Sequence, residues 1–318
     1  MDELVVQTKG LTKRYGDGDS GRLAVDRVEM TVRRGEVYGF LGPNGAGKTT
    51  TLRMVLGLIR PTAGSATVLG RPAGEPAVTE RIGALIEGPG FYPYLSGRDN
   101  LRTMARYRAL PEAMVDAALE RVDLADRGKD KFKSYSLGMK QRLGVAAALM
   151  GDPDVIVLDE PTNGLDPAGM ADMRGLIVEL ARGGQTVLLS SHLLAEVEEI
   201  CDRVGVIARG QLLVESTVSA LRGGRRLRIT ATPTDRAIAI AMRLAGEDAV
   251  QLSGDAILVD VPPERTPHVV RAFVTEGLDV HEVTISERTL EEVFFEMTRS
   301  GEHVHAADDL TSSLEAVR

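Results

Sequence analysis

Three groups of residues in this chain have the types and spacing for phosphate chemistry. The first is Gly42-Pro43-Asn44-Gly45-Ala46-Gly47-Lys48-Thr49, followed by Thr50. Glycines at these intervals let a backbone wrap a phosphate with its N–H groups turned inward, the lysine reaches the terminal phosphates, and the next hydroxyl ligates magnesium. The second is Asp159-Glu160, closing "DVIVLDE". Asp159 suits a magnesium contact through water, and Glu160 suits polarisation of a water attacking the terminal phosphate; alone, two such acids could equally cap a turn. The third is His192, closing "TVLLSSH", whose imidazole could reach the γ-phosphate or hold that water with Glu160. A lone histidine is usually structural, and the other two strand ends are what favour a role here.

A second anion site is written in "YSLGMKQRLG". Ser136 reads as an N-cap with no group of its own to cap, followed by Gly138 and two cations. Free amides and the macrodipole at such a helix start favour negative charge. One chain thus offers two phosphate-binding helix starts.

Positioning these groups requires strands that end together. "EVYGFLG", "DVIVLDE", "TVLLSSH" and "RVGVIARG" are short apolar runs, each followed by a turn or helix, which predicts a largely parallel α/β sheet buried on both faces. "LSGRDNLRTMARYRA" starts a helix with Ser96 as N-cap and Asp99 near the capping-box position, and helical spacing continues through "PEAMVDAALERVDL" and beyond Ser136. The middle of the chain, about residues 90–152, is therefore expected to be a helical subdomain inserted into the sheet. After "RGGRRLR" the pattern becomes βαββαβ with an added helix, "RTLEEVFFEMTRS", which suggests a small α+β domain of ferredoxin-like order. The expected division is 1–222, 223–300 and a frayed polar tail at 301–318.

Composition narrows the function. A chain of 318 residues exceeds one core, and 43% hydrophobic with 26% charged residues is an ordinary globular mixture. A net charge of −8 argues against nucleic acid as a partner. The single cysteine, Cys201, rules out an internal disulfide or a multi-thiolate zinc site and reads as a packing residue. No apolar run approaches the roughly 18 residues that cross a bilayer, and "MDELVVQTKG" lacks a signal peptide's basic start, so a partner is expected to supply any membrane span.

Together these motifs resemble those of the ATP-binding subunits of ABC transporters over about the first 220 residues: Tyr15 in "LTKRYG" is similar to the aromatic that stacks on adenine, "YSLGMKQ" to the signature segment, "VIVLDE" to the Walker B strand, "NGLD" with Asp166 to the D-loop, and His192 to the switch histidine. The signature departs from the commoner Ser-Gly-Gly-Gln, retaining Ser136 and Gly138. The usual Q-loop glutamine is Glu87 here, an anion able to meet magnesium but without the amide's donor. Both departures resemble the drug and peptide-antibiotic exporter branch, including bacitracin and daunorubicin self-resistance cassettes. The resemblance implies a P-loop cassette that hydrolyses ATP with Mg2+, pairs with a second copy so that Ser136 and Gly138 complete the opposite phosphate loop, and drives a separate six-span permease from the cytoplasmic face of the membrane. Phe91-Tyr92-Pro93-Tyr94 is the candidate permease-facing surface, with core packing as its alternative. Two other classes stay open: a soluble ABC ATPase acting on ribosomes or DNA, against which the single cassette speaks, and a non-hydrolysing regulatory module, against which Glu160 and His192 speak.

Overall fold

The computed structural model describes residues 3–16, 21–222, 225–286 and 289–291. They fall into two compact units that divide after Val218.

In the first unit, the four apolar runs form strands Val37–Leu41, Val155–Asp159, Thr186–Ser191 and Arg203–Ala208, every residue of which is buried. Burial on both faces is why they read as continuous apolar runs rather than alternating ones. The sheet runs in the order Gln211–Thr217, Arg203–Ala208, Val37–Leu41, Thr186–Ser191, Val155–Asp159, Ile82–Leu85. Its first pair is an antiparallel hairpin and the other neighbours are parallel. Leu41 pairs with Ser191 and Asp159 with Ser190, so three strands end level with one another.

A second, antiparallel sheet is added to the expected architecture. It joins Leu4–Tyr15 to Arg22–Val28, Thr31–Arg33 and Ala63–Val68, with Arg71–Pro72 at its end. Register shifts interrupt the pairing between Leu11 and Lys13 and between Lys9 and Thr12, which breaks the period-two signal a single sheet face would leave. Helix Lys48–Val55 lies between the sheets. Its Leu52, Met54 and Val55 share one core with Val6, Val25 and Val68 of the antiparallel sheet and Phe40, Val157 and Leu188 of the parallel one. The phosphate-loop helix is thus held by apolar burial on both sides, worth about 1.5–3 kcal/mol for each large side chain.

The expected helical insertion is present as Gly97–Tyr107, Ala113–Arg121 and Leu137–Leu149, between two strands that neighbour each other in the sheet. Ser96 caps as expected, accepting from the Asp99 N–H at 3.0 Å. Ser136 differs from expectation: its hydroxyl accepts from Met139 N–H at 3.2 Å and so caps its own helix. The serine still leaves other first-turn amides of that helix without intrahelical partners.

The second unit has strands in the order Val250–Ser253, Ala256–Val259, Arg226–Thr232, Asp279–Ser286, all antiparallel, with helices Thr234–Ala245 and Thr266–Thr275. This is the expected βαββαβ order, closed around Leu227, Ile229, Ile240, Val259, Val269 and Phe273. The added helix, apart from its first residues, and the tail lie outside the described residues.

Helix Leu137–Leu149 reaches the edge strand through Gly83, where a Cβ would stand 2.1 Å from the Ala148 carbonyl oxygen. Such an atom has no flexible neighbour to displace. Gly83→Ala is expected to destabilise this unit by about 1–3 kcal/mol, read as a lowered denaturation midpoint by circular dichroism; an unchanged midpoint would show that helix and strand are not in fixed contact.

Candidate functional site

The phosphate loop leaves strand Val37–Leu41 and enters helix Lys48–Val55 through Gly47, whose φ of 109° and near approach to the Ala24 carbonyl, 2.5 Å from where a Cβ would be, both require glycine. Lys48 is buried, its ammonium 2.6 Å from the Gly42 carbonyl, 3.3 Å from that of Pro43 and 3.0 Å from Glu160 Oε1. The Thr49 hydroxyl donates to Asp159 Oδ2 at 2.8 Å. Gly47, Lys48, Thr49 and Glu160 open onto a cavity of about 410 Å³ lined also by Tyr15, Asn44, Gly45 and Thr50.

Glu160 sits one residue past its strand at φ 49°, a conformation that costs a non-glycine residue and that the surrounding structure must impose. Its N–H is bonded to both oxygens of Ser190, at 3.2 Å to the carbonyl and 3.0 Å to the hydroxyl. Its carboxylate is shared, Oε1 with Lys48 and Oε2 with His192 Nδ1 at 2.7 Å. Burial would raise its pKa, but the His192 hydrogen bond and the Lys48 charge outweigh that and hold it below the usual glutamate range. Glu160 is therefore ionised at neutral pH, as a proton acceptor must be.

A family model described as "ABC transporter" matches residues 25–163. The bacitracin transport ATP-binding protein BcrA of Bacillus licheniformis is 38% identical over 304 residues, 93% of this chain and 98% of the relative. The chain belongs to the ABC transporter family. The daunorubicin resistance ATP-binding protein DrrA3 of Streptomyces coeruleorubidus is 37% identical, over 96% of this chain and all of the relative. Among solved structures, cbiO1 of Clostridium perfringens, part of the ABC transporter complex cbiONQ, aligns with a TM-score of 0.62 at 27% identity, covering 70% of this chain and 91% of that one.

In this ABC subunit the remaining motif residues lie in other places. Ser136, Gly138, Gly164 and Asp166 line a separate open cavity of about 840 Å³, where Asp166 caps helix Pro167–Arg182 by accepting from the Gly169 N–H at 3.2 Å. The two predicted phosphate-binding helix starts therefore open into different cavities of one chain. Tyr15 is 43% exposed at the mouth of the phosphate-loop cavity. The Glu87 carboxylate pairs with Arg53 at 2.5 Å, and Arg53 itself lines that cavity. Cys201 is buried and burial pushes its thiol up, as a packing residue requires.

The residue missed by the motif reading is Ser190. Fully buried, it donates to Asp159 Oδ1 at 2.6 Å while its own hydroxyl oxygen receives the Glu160 N–H, tying the two acids to the neighbouring strand. Its signal was present: "TVLLSSH" places hydroxyls at the end of an otherwise apolar buried strand, where each must find a partner.

The depressed pKa of Glu160 stabilises the fold above the ordinary glutamate range and stops doing so as pH falls through its folded value. Lys48→Met removes the adjacent charge and raises that value. Its thermal midpoint is therefore expected to fall furthest below wild type near neutral pH, with the gap narrowing on acidification; a gap independent of pH would mean that the pair carries no such linkage.

Proposed function

We propose that this chain is the ATP-hydrolysing subunit that powers export of a drug, antibiotic or other hydrophobic compound through a separate membrane permease. The observation that carries the hydrolytic part is Glu160, ionised and held between Lys48 and His192. In this reading Lys48 turns to the terminal phosphates and releases Glu160 Oε1 to accept a proton from the attacking water, while His192 keeps the carboxylate aimed through Oε2. Tyr15 stacks on the adenine, and the N–H groups of Gly45, Gly47, Lys48, Thr49 and Thr50 in the loop from Gly42 to Thr50 hold the phosphates. Thr49 and Asp159 offer a hydroxyl and a carboxylate oxygen already 2.8 Å apart, a hard donor set suited to a magnesium that keeps phosphate and water ligands. Magnesium bound there would supply charge neutralisation on the phosphates. Glu87 is the further magnesium contact once it leaves Arg53.

Two copies are proposed to sandwich two ATPs, since Ser136, Gly138 and Asp166 open into a cavity apart from the phosphate loop and need the loop of a second copy. The export reading is supported by relatives named for bacitracin transport and daunorubicin resistance. The proposed place of the subunit is the cytoplasmic face of the membrane, bound through its permease; no helix among the described residues is long and apolar enough to cross a membrane. For the permease-facing surface, Phe91 packs edge-on against Phe132 at 5.3 Å, while Tyr92 and Tyr94 are 52% and 64% exposed and remain the candidates. Residues 223–300 are proposed as an accessory or regulatory domain in addition to the cassette of residues 1–222.

Two experiments test this. Glu160→Gln is expected to slow steady-state ATP hydrolysis by about 10²- to 10⁴-fold while sparing ATP binding; undiminished turnover would remove Glu160 as the base. Ser136→Arg, placed in the Glu160→Gln background, is expected to abolish ATP-driven dimerisation in size-exclusion chromatography with monomer ATP affinity unchanged. Loss of monomer affinity instead would mean that both helix starts serve one nucleotide in one chain.

A further inference from the structure

Behind the Glu160–His192 pair lies an acid that the reading above does not use. Glu196, on helix Leu194–Ile200, is 2% exposed. Its Oε2 accepts the Ser191 hydroxyl at 2.5 Å, and the Ser191 oxygen in turn accepts the Leu193 N–H at 3.0 Å. These bonds span His192 on both sides and close the turn that carries it. The Ser191 carbonyl, at the same point, receives the Gly42 N–H of the phosphate loop at 3.2 Å. Glu196 Oε1 makes no hydrogen bond of good geometry, and the Thr162 hydroxyl, two residues beyond Glu160 and itself buried, contributes only a weak hydrogen bond to the carboxyl. Burial pushes the Glu196 carboxyl up, against the pull of the Ser191 and Thr162 hydroxyls. A buried acid with a half-satisfied carboxyl is costly to keep, and a hydrophobic side chain would pack there at less cost.

The geometry points to Glu196 as a positioning residue: through Ser191 it clamps the turn bearing His192, and so sets where the imidazole meets Glu160. This rests on the reading that Glu160 and His192 turn over ATP. The acid itself bonds neither the phosphate loop nor the cavity lining; its hydrogen bond to Ser191 leads into the turn that carries His192, and Ser191 meets the loop only through its backbone carbonyl. A misplacement of the order of 1 Å in a catalytic group can cost about 10²-fold in rate, which gives the scale available to such a clamp.

Steady-state ATPase kinetics of the full chain test it, together with imidazole NMR. Among five histidines, the His192 signal is assigned by its loss in His192→Ala. Glu196→Ala and Ser191→Ala are expected to lower kcat by about tenfold or more with KM for ATP within about twofold, and to shift the His192 resonance. Glu196→Gln keeps an acceptor for the Ser191 hydroxyl and is expected within about threefold of wild type, with the resonance in place. In the His192→Ala background, Glu196→Ala is expected to cost nothing further, because the group it positions is gone. Full turnover in Glu196→Ala, an unmoved resonance, or an undiminished loss on top of His192→Ala would each overturn the clamp. Should Glu196→Ala not fold, Ser191→Ala carries the same expectations. A wild type that binds ATP without turning it over would sink the hydrolytic function, and the NMR comparison would then decide the clamp by itself.

Discussion

The site depends on parallel strands ending in register. Leu41 opposite Ser191 and Asp159 opposite Ser190 bring three chain ends to one level, so that the phosphate loop, the acid pair and the histidine leave the sheet at the same edge. Side chains far apart in sequence then meet without a dedicated scaffold: Thr49 with Asp159, Lys48 with Glu160, Glu160 with His192. A one-residue slip in any pairing would turn these side chains to opposite faces and scatter the constellation. Ser190 fixes that register chemically as well as geometrically, because its hydroxyl bonds the side chain of one acid and the backbone of the other.

Holding charge in such a place works against burial. Lys48 is 5% exposed and Glu160 departs from ordinary backbone geometry, costs that persist only because the surrounding bonds overdetermine the arrangement. The Lys48 ammonium finds two loop carbonyls and a carboxylate. Breaking that set leaves an uncompensated buried charge, which is far more expensive than the net worth of the pair. The lysine and the carboxylate thus satisfy each other's charge within the site.

The second cavity follows a different logic. Ser136 and Asp166 each cap their own helix, so neither start is idle, yet both face an open hollow far larger than the capping bonds need. A capped helix still presents first-turn amides, and these open into the hollow rather than toward the phosphate loop of the same chain. Tyr92 and Tyr94 are exposed and pack against each other at 5.8 Å, whereas Phe91 of the same short stretch packs with the buried Phe132.

Legibility in the sequence followed the locality of the signal. The phosphate loop, the paired acids and the histidine were readable because each motif is contiguous and its strand is buried on both faces, leaving an unbroken apolar run. The βαββαβ order of the second unit was readable for a similar reason, alternation of period two and 3.6 in short segments. Shifts in register hid the antiparallel sheet, since they disturb the alternation by which a half-buried strand is recognised. Only the tertiary structure decided that Ser136 has its own amide to cap, that Glu87 pairs with Arg53, and that Ser190 and Glu196 stand behind the acids and the histidine. These are contacts between side chains and segments brought together by strand pairing, and no local pattern in the chain encodes which hydroxyl a buried carboxylate will find.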